Sequence, residues 1–258
     1  MTVGVEQDEE VGPDTGPSSI AKAVRVLRSL AQAGGQADGV THIAALANLP
    51  KSTTHRVLSV LIGEGLVSRC DQLYRLGPGW FELQSVLSSS EWQRLAGLAG
   101  RPLAKLFEMT GATVHFAVLD GEDVLYLEKL TARGGTAVTT RVGGRKPALC
   151  TALGKTLLAH SDRSTLHSVL AKPLPVMTRH SIASPRMALN QLEKVRQTGL
   201  AFDNEEVQPG VFCVAAPVLQ SGRAIAAVSV TRVGGKPTLQ SDSLAVRRAA
   251  SEIVSWLN

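Results

Sequence analysis

Apolar residues recur at helical spacing near the start of the chain, at Ile20, Val24, Leu27 and Ala31, with Ser18 or Ser19 to cap the helix and Gly34-Gly35 to end it. A second stripe, Ile43, Ala44, Leu46 and Ala47, starts at Thr41 and stops near Leu49-Pro50. A third helix, KSTTHRVLSVLIGEG from Lys51, sets Thr54, Val57, Leu58 and Leu61 on one side. At about 100° per residue, Ser52, His55, Arg56 and Ser59 project from the other. The period then shortens to two. LVSR (66–69) and LYRL (73–76) read as strands joined by Cys70-Asp71-Gln72. Three helices and a β-hairpin in this order predict a winged helix-turn-helix over residues 18–78.

From Gly79 the pattern is helical again, with Phe81, Val86 and Leu87, until Ser88-Ser89-Ser90 interrupts it. Ser90 and Gln93 then form a capping box for a helix carrying Trp92, Leu95 and Leu98. Residues 79–98 are thus a helical linker, expected to transmit changes between domains. Beyond it, VHFAVL and VLYLEKL flank Asp120-Gly121-Glu122-Asp123 as a hairpin, and TAVTTRV (136–142) predicts a further strand. TALGKTLLAH begins a helix, and Ser184-Pro185 opens another that closes at Gly199. FCVAAPVL and AIAAVSVTR pair across Ser221-Gly222, and SDSLAVRRAASEIVSWL closes the chain as an amphipathic helix. Antiparallel hairpins with interspersed helices predict an α+β domain over residues 99–258, for an α+β chain of two domains.

Composition narrows the function classes. With 44% apolar and 19% charged residues among 258, the chain has the balance of a globular protein. Its apolar runs are too short to cross a membrane, and its acidic start lacks a signal-peptide apolar region, so a cytoplasmic location with no membrane partner is expected. Residues 1–17 are acidic and punctuated by Gly and Pro, which predicts a disordered leader. That leader holds five of the 22 acids and no base; the remaining 17 face 27 Lys and Arg, so the body carries +10. Such a body points to an anionic partner. Cys70, Cys150 and Cys213 show no metal-ligand spacing, and no nucleophile elbow or paired-histidine motif is present. Neither catalysis, a metal site nor a cofactor is expected. Gly154-Lys155-Thr156 ends like a phosphate-binding loop, but the glycine that such a loop needs five positions before the GK pair is Leu149.

Five segments in order, LPKSTTHRVL, YRLGPG, CTALGKTLLA, FDNEEVQPGVFCVAAPV and AAVSV, resemble the IclR-type transcriptional regulators over residues 18–257. The resemblance implies an N-terminal winged helix-turn-helix and a C-terminal effector domain with a curved antiparallel sheet, similar to GAF and profilin folds. It also implies homodimers or dimers of dimers, double-stranded operator DNA as partner, and a small organic acid as effector. Leu149, Cys150 and Ser181 depart from the residues common in that family.

For DNA, Lys51, Ser52 and Thr53 suit phosphate at the helix start, Arg56 suits a guanine edge, and His55 and Ser59 suit shorter polar contacts. Arg69 and Arg75 on the wing and Lys22, Arg25 and Arg28 on the first helix would add backbone contacts. For an effector, Ala152, Leu153 and Gly154 offer free N–H groups at the positive end of a helix, while Lys155 points away as a structural contact. The resemblance further implies Asp203, Cys213, Ser229, Thr231 and Val138 as pocket residues. The period of two sets Ser229 and Thr231 on one face of their strand. An aspartate facing a carboxylate requires a bridging donor or protonation. A second reading stays open, in which the protein binds DNA constitutively and its C-terminal domain only oligomerises.

Overall fold

A computed structural model describes residues 17–32, 36–87, 90–132, 138–234 and 241–257; the leader lies almost wholly outside them. The chain divides near residue 88 into two compact units.

The N-terminal unit runs α1 (Ser19–Gln32), β1 (Asp38–Gly39), α2 (Val40–Ala47), α3 (Lys51–Gly63), β2 (Val67–Cys70), β3 (Leu73–Leu76) and α4 (Gly79–Leu87). Val26 and Leu30 of α1 meet Ile43 and Ala47 of α2, Leu58 and Leu61 of α3, and Val67 and Tyr74 of the hairpin in one core. Each fully buried leucine contributes about 1.5–3 kcal/mol. Of the apolar residues whose spacing gives α1, Leu27 packs against this core. Ile20 is 77% exposed and Val24 40%, whereas Val26, Ser29 and Leu30 face inward. Two stripes satisfy the same period here. The inward one can include Ser29 because its hydroxyl donates to the Arg25 carbonyl. Asn48, at φ 51°, ends α2, its N–H donating to the Ala45 carbonyl, and Pro50 then caps α3. Thr54 is buried with its hydroxyl donating to the Pro50 carbonyl, which fixes the rotation of α3. The strands form an antiparallel sheet in the order β1-β3-β2, and the Trp80 indole donates to the Leu66 carbonyl behind the wing.

The C-terminal unit runs α5 (Glu91–Thr110), β4 (Thr113–Asp120), β5 (Asp123–Leu130), β6 (Arg145–Pro147), a 3-10 turn (Ala148–Cys150), α6 (Ala152–Ala159), α7 (Arg163–Leu170), α8 (Pro185–Thr198), β7 (Ala201–Asn204), β8 (Val211–Gln220), β9 (Arg223–Val233) and α9 (Ser241–Ser255). The Ser90 hydroxyl caps α5 by accepting the Gln93 N–H. The strands form a curved antiparallel sheet in the order β6-β5-β4-β9-β8-β7, with bulges at Phe116/Ala117 and Val218/Leu219, so the chain is α+β. Strand alternation splits the core in two. Phe116, Val118, Val214, Val228 and Val230 face α5 and α9. Ala117, Ala215 and Ala227 face α6 and α8, where Leu153, Leu157 and Leu192 cover them.

The strand expected at 136–142 is a correction. Residues 136 and 137 lie outside the described residues, and 138–142 form no strand. The Lys129 ammonium donates to the carbonyls of Val138 (3.0 Å) and Thr140 (2.6 Å), so a side chain satisfies acceptors that a neighbouring strand would have used. The strand beside β5 is instead β6, three residues long and without apolar alternation.

Candidate DNA interface and effector pocket

On α3, Thr54, Leu58 and Leu61 anchor one side, and Lys51, Ser52, His55, Arg56 and Ser59 are exposed on the other, with Thr53 half-buried between them. Pro50 provides no side-chain cap, so N–H groups of the first turn stay open to an anion. His55 leans toward the wing, its ring 6.2 Å from that of Tyr74 and set edge-on. The Ser59 hydroxyl donates back to the His55 carbonyl at 3.0 Å. At the wing, Arg69 Nε donates to the Asp71 carbonyl at 2.7 Å and its guanidinium lies 5.9 Å from the Tyr74 ring centre. That holds Arg69 along the hairpin, while Arg75 is exposed. Arg25 and Arg28 are exposed on α1 and Lys22 is half-buried. Residues 18–78 hold seven Lys and Arg against three Asp and Glu, a net of +4. A helix with a polar outer face, an open N-terminus and a basic hairpin beside it can enter a DNA major groove with phosphate contacts on both flanks.

In the C-terminal unit, about 400 Å³ unfilled by protein atoms, its mouth included, opens beside the start of α6. Its floor is a polar row on the α6 side of the sheet: His115 on β4, Ser229 and Thr231 on β9, Cys213 on β8 and Asp203 on β7. The register sets His115 opposite Ser229, Thr231 opposite Cys213, and Cys213 opposite Asp203. Hydrogen bonds join part of the row. Thr231 Oγ1 lies 3.3 Å from His115 Nδ1 and 3.2 Å from Cys213 Sγ, and His115 Nε2 lies 2.7 Å from Thr140 Oγ1. Ser229 Oγ is buried with no hydrogen-bond partner among the described residues. Burial, assisted by Lys129, pushes the His115 imidazole down to about 3, so it is neutral. Burial pushes the Cys213 thiol well up, with Asp203 adding to the effect. Asp203 is 2% exposed; burial raises its carboxyl to about 7 against the opposing hydrogen bond from the Glu206 N–H (2.7 Å).

Of the residues expected at an effector site, Val138, Ala152, Leu153, Asp203, Cys213, Ser229 and Thr231 line this pocket together, and Gly154 does not. Gly154 is a correction. Its N–H donates to the Thr151 hydroxyl at 2.8 Å, and a Cβ there would come within 2.2 Å of the Ala148 carbonyl oxygen. The glycine admits backbone against backbone and exposes nothing to a ligand. Lys155 does point away, but into the core: its ammonium meets Glu206 Oε1 at 2.5 Å with both side chains nearly inaccessible. Leu149 and Cys150 are buried outside the pocket lining, and the Ser181 hydroxyl donates to the Glu206 carbonyl. Sequence reasoning missed His115, Tyr126, Thr139, Thr140, Thr151 and Gln208. His115 carried a usable sign, a lone polar ring in an apolar strand. Thr139 and Gln208 carried none, because loop contacts bring them in.

Comparison with known proteins fits this geometry. Residues 19–70 match the IclR helix-turn-helix domain, and residues 87–254 match the bacterial transcriptional regulator IclR C-terminal domain. The regulator KdgR of Dickeya chrysanthemi is 32% identical over 224 residues, covering 84% of this chain and 72% of that protein. Thermotoga maritima IclR superposes with a TM-score of 0.75 at 29% identity, covering 93% of this chain and 98% of that one. An IclR homologue from Microbacterium hydrocarbonoxydans, solved with 4-hydroxybenzoate, gives 0.80 at 28% identity over 92% and 98% of the two chains. No described helix is long and apolar enough to cross a membrane. The chain therefore belongs to the IclR family, non-enzymatic bacterial transcriptional regulators that join a helix-turn-helix DNA-binding domain to a C-terminal effector domain.

Proposed function

We propose that this regulator is ligand-responsive: it binds operator DNA as a two-fold dimer through α3 and the wing, and its C-terminal pocket holds a small organic acid. The observation that carries the effector reading is the buried polar row beside the start of α6, with Ser229 Oγ left unpartnered among the described residues. A buried hydroxyl without a partner costs about 1–3 kcal/mol, which a ligand that bonds to it recovers. The Ala152 and Leu153 N–H groups, at the positive end of α6, add donors that suit a carboxylate. The 4-hydroxybenzoate bound by the Microbacterium relative supports an acid of that class.

Thermal denaturation of the purified chain with 4-hydroxybenzoate, benzoate, pyruvate and glyoxylate checks the pocket. An effector at 100 times its Kd stabilises by about 2.7 kcal/mol. A flat response to the whole panel would leave the constitutive reading in its place. Ligand alters DNA affinity only as far as it binds the DNA-competent and incompetent arrangements differently, and residues 79–98 are the proposed route.

A single winged helix offers a small interface, and two half-sites on a palindrome supply specificity. On such an operator Arg56→Ala should weaken specific binding by about 1–3 kcal/mol and relax the preference at one base pair in each half-site. Lys51→Ala should instead weaken all sequences alike and flatten the log–log salt dependence by roughly one unit per half-site. Anisotropy titrations at two salt concentrations, against operator and scrambled DNA, separate these outcomes. If Arg56→Ala weakened both DNAs equally, Arg56 would be a phosphate contact.

A further inference from the structure

The pocket that would hold a carboxylate already contains a carboxyl group, Asp203, and none of the described residues lining it is a lysine or arginine. The groups packed around Asp203 are neutral apart from two lysines and Glu206, and neither lysine lines the pocket. From α6, the Lys155 ammonium is committed to Glu206 Oε1 at 2.5 Å and to Gln191 Oε1 at 3.2 Å. Glu206, from the loop after β7, is the other half of that ion pair. From β8, Cys213 keeps its proton, and from the 3-10 turn burial raises the Cys150 thiol as well. From β5, burial holds the Tyr126 phenol in its protonated form, while Lys129 donates to the two backbone carbonyls of Val138 and Thr140. From β4, His115 is neutral. An incoming carboxylate would meet an ionised Asp203 with no lysine or arginine in the pocket lining to offset the pair. Asp203 Oδ1 accepts the Glu206 N–H, and the carboxylate also accepts from the Cys213 thiol; once protonated, the carboxyl can itself donate to a ligand.

We infer that the pocket takes up its acid together with a proton, which Asp203 receives, so that acid binding weakens as the solution becomes more alkaline. The inference rests on the carboxylate reading of the pocket. The balance is simple: a solvent proton adds to one Asp203 oxygen, the resulting O–H donates to the ligand carboxylate, and the complex gains no net charge. No lysine or arginine among the described residues lines the pocket to compensate two carboxylates, and burial sets the range. In the empty pocket the Asp203 carboxyl loses its proton near pH 7, and a bound anion moves that loss to higher pH. Uptake is therefore small well below pH 7 and approaches one proton well above it, with affinity falling as pH rises.

The test is calorimetric titration of the full chain with benzoate and with pyruvate at pH 5.5, 7 and 8, in two buffers of different ionisation heat. Benzamide serves as the neutral probe. The expected result is about tenfold weaker acid binding at pH 8 than at pH 5.5, and proton uptake rising from near zero to about 0.9. Benzamide binding should be insensitive to pH. Asp203→Asn, which supplies a permanent neutral donor and keeps an oxygen for the Glu206 N–H, should bind the acids with flat affinity and no uptake. Acid binding that is flat and buffer-independent in the unsubstituted chain overturns the inference and leaves the effector pocket standing. Proton uptake that persists in Asp203→Asn also overturns it, by placing the proton elsewhere. Failure of both acids to bind even at pH 5.5, where binding is strongest, overturns the inference and the carboxylate reading together.

Discussion

Replacing Lys155 with methionine should lower the unfolding free energy by about 3–5 kcal/mol, a large fraction of what a domain of this kind possesses. The Lys155 ammonium lies 2.5 Å from Glu206 Oε1, with the two side chains 2% and 6% exposed. The cost comes less from the lost attraction than from the anion left behind, since Glu206 Oε2 already has no partner among the described residues. Truncation strands a carboxylate where water does not reach, and that carboxylate must protonate or drag solvent into the core. Changing Glu206 to glutamine in the same chain should restore most of the loss, because the orphaned charge disappears with its partner. Urea denaturation reads both variants: the midpoint should fall for the single substitution and recover for the double, with the slope unchanged. A single-variant loss under about 1 kcal/mol would mean the pair is solvated, as surface pairs are.

Gly154→Ala is the second large effect, and two magnitudes oppose each other there. Alanine should favour a helix by about 1 kcal/mol over glycine. Against that, the new methyl carbon would lie 2.2, 2.3 and 2.5 Å from the O, Cα and C atoms of Ala148, all backbone. A flexible side chain could turn aside; the 3-10 turn at Ala148–Cys150 has no such freedom. The steric term should win, with a net loss of about 2–3 kcal/mol, and α6 must shift to accommodate it. Ala152 and Leu153 ride on that helix, so under the proposed effector reading acid affinity should fall with stability. Denaturation midpoints and titration of a binding acid measure the two effects, and a variant as stable as the parent would show that α6 can slide freely.

Both positions show what sequence can and does not carry. The tripeptide Gly-Lys-Thr attracts notice because each residue type has chemistry attached, and helix capping correctly sets it at a helix start. Whether the glycine faces a ligand or a neighbouring backbone depends on a contact with residue 148, and no local pattern encodes it. Lys155 was legible as structural, while its burial was not, because Glu206 is 51 positions away. The winged unit was readable almost throughout, since its helices and hairpin have caps, turns and periodicity of their own. The spacing correctly gave α1 as a helix; which of two stripes sharing one period turns inward was decided by tertiary packing. In the C-terminal unit the long hairpins were clear from alternation. Short β6 and β7, and α7 with its Asp162 cap, fell below the length at which a pattern outweighs chance. The segment 138–142 misled because β-branched composition reports only a fit to a pleated surface, and Lys129 had taken the backbone acceptors.

The order of the C-terminal sheet bears on how the pocket comes into being. The chain builds β4, β5 and β6 early and β7, β8 and β9 late, and among the described strands the two halves of the sheet pair along the β4–β9 seam. His115 and Thr231, hydrogen-bonded across that seam, are 116 positions apart. Closing so distant a contact is the slow part of assembling such a sheet. Neither half holds a pocket alone, so a nascent or partly folded chain has nothing for an effector to grip. An effector that recognises only the joined sheet leaves the folding rate untouched and acts on the reverse step, lengthening the lifetime of molecules that have already closed. In a cell that degrades opened chains, the metabolite would then govern how long its own sensor persists.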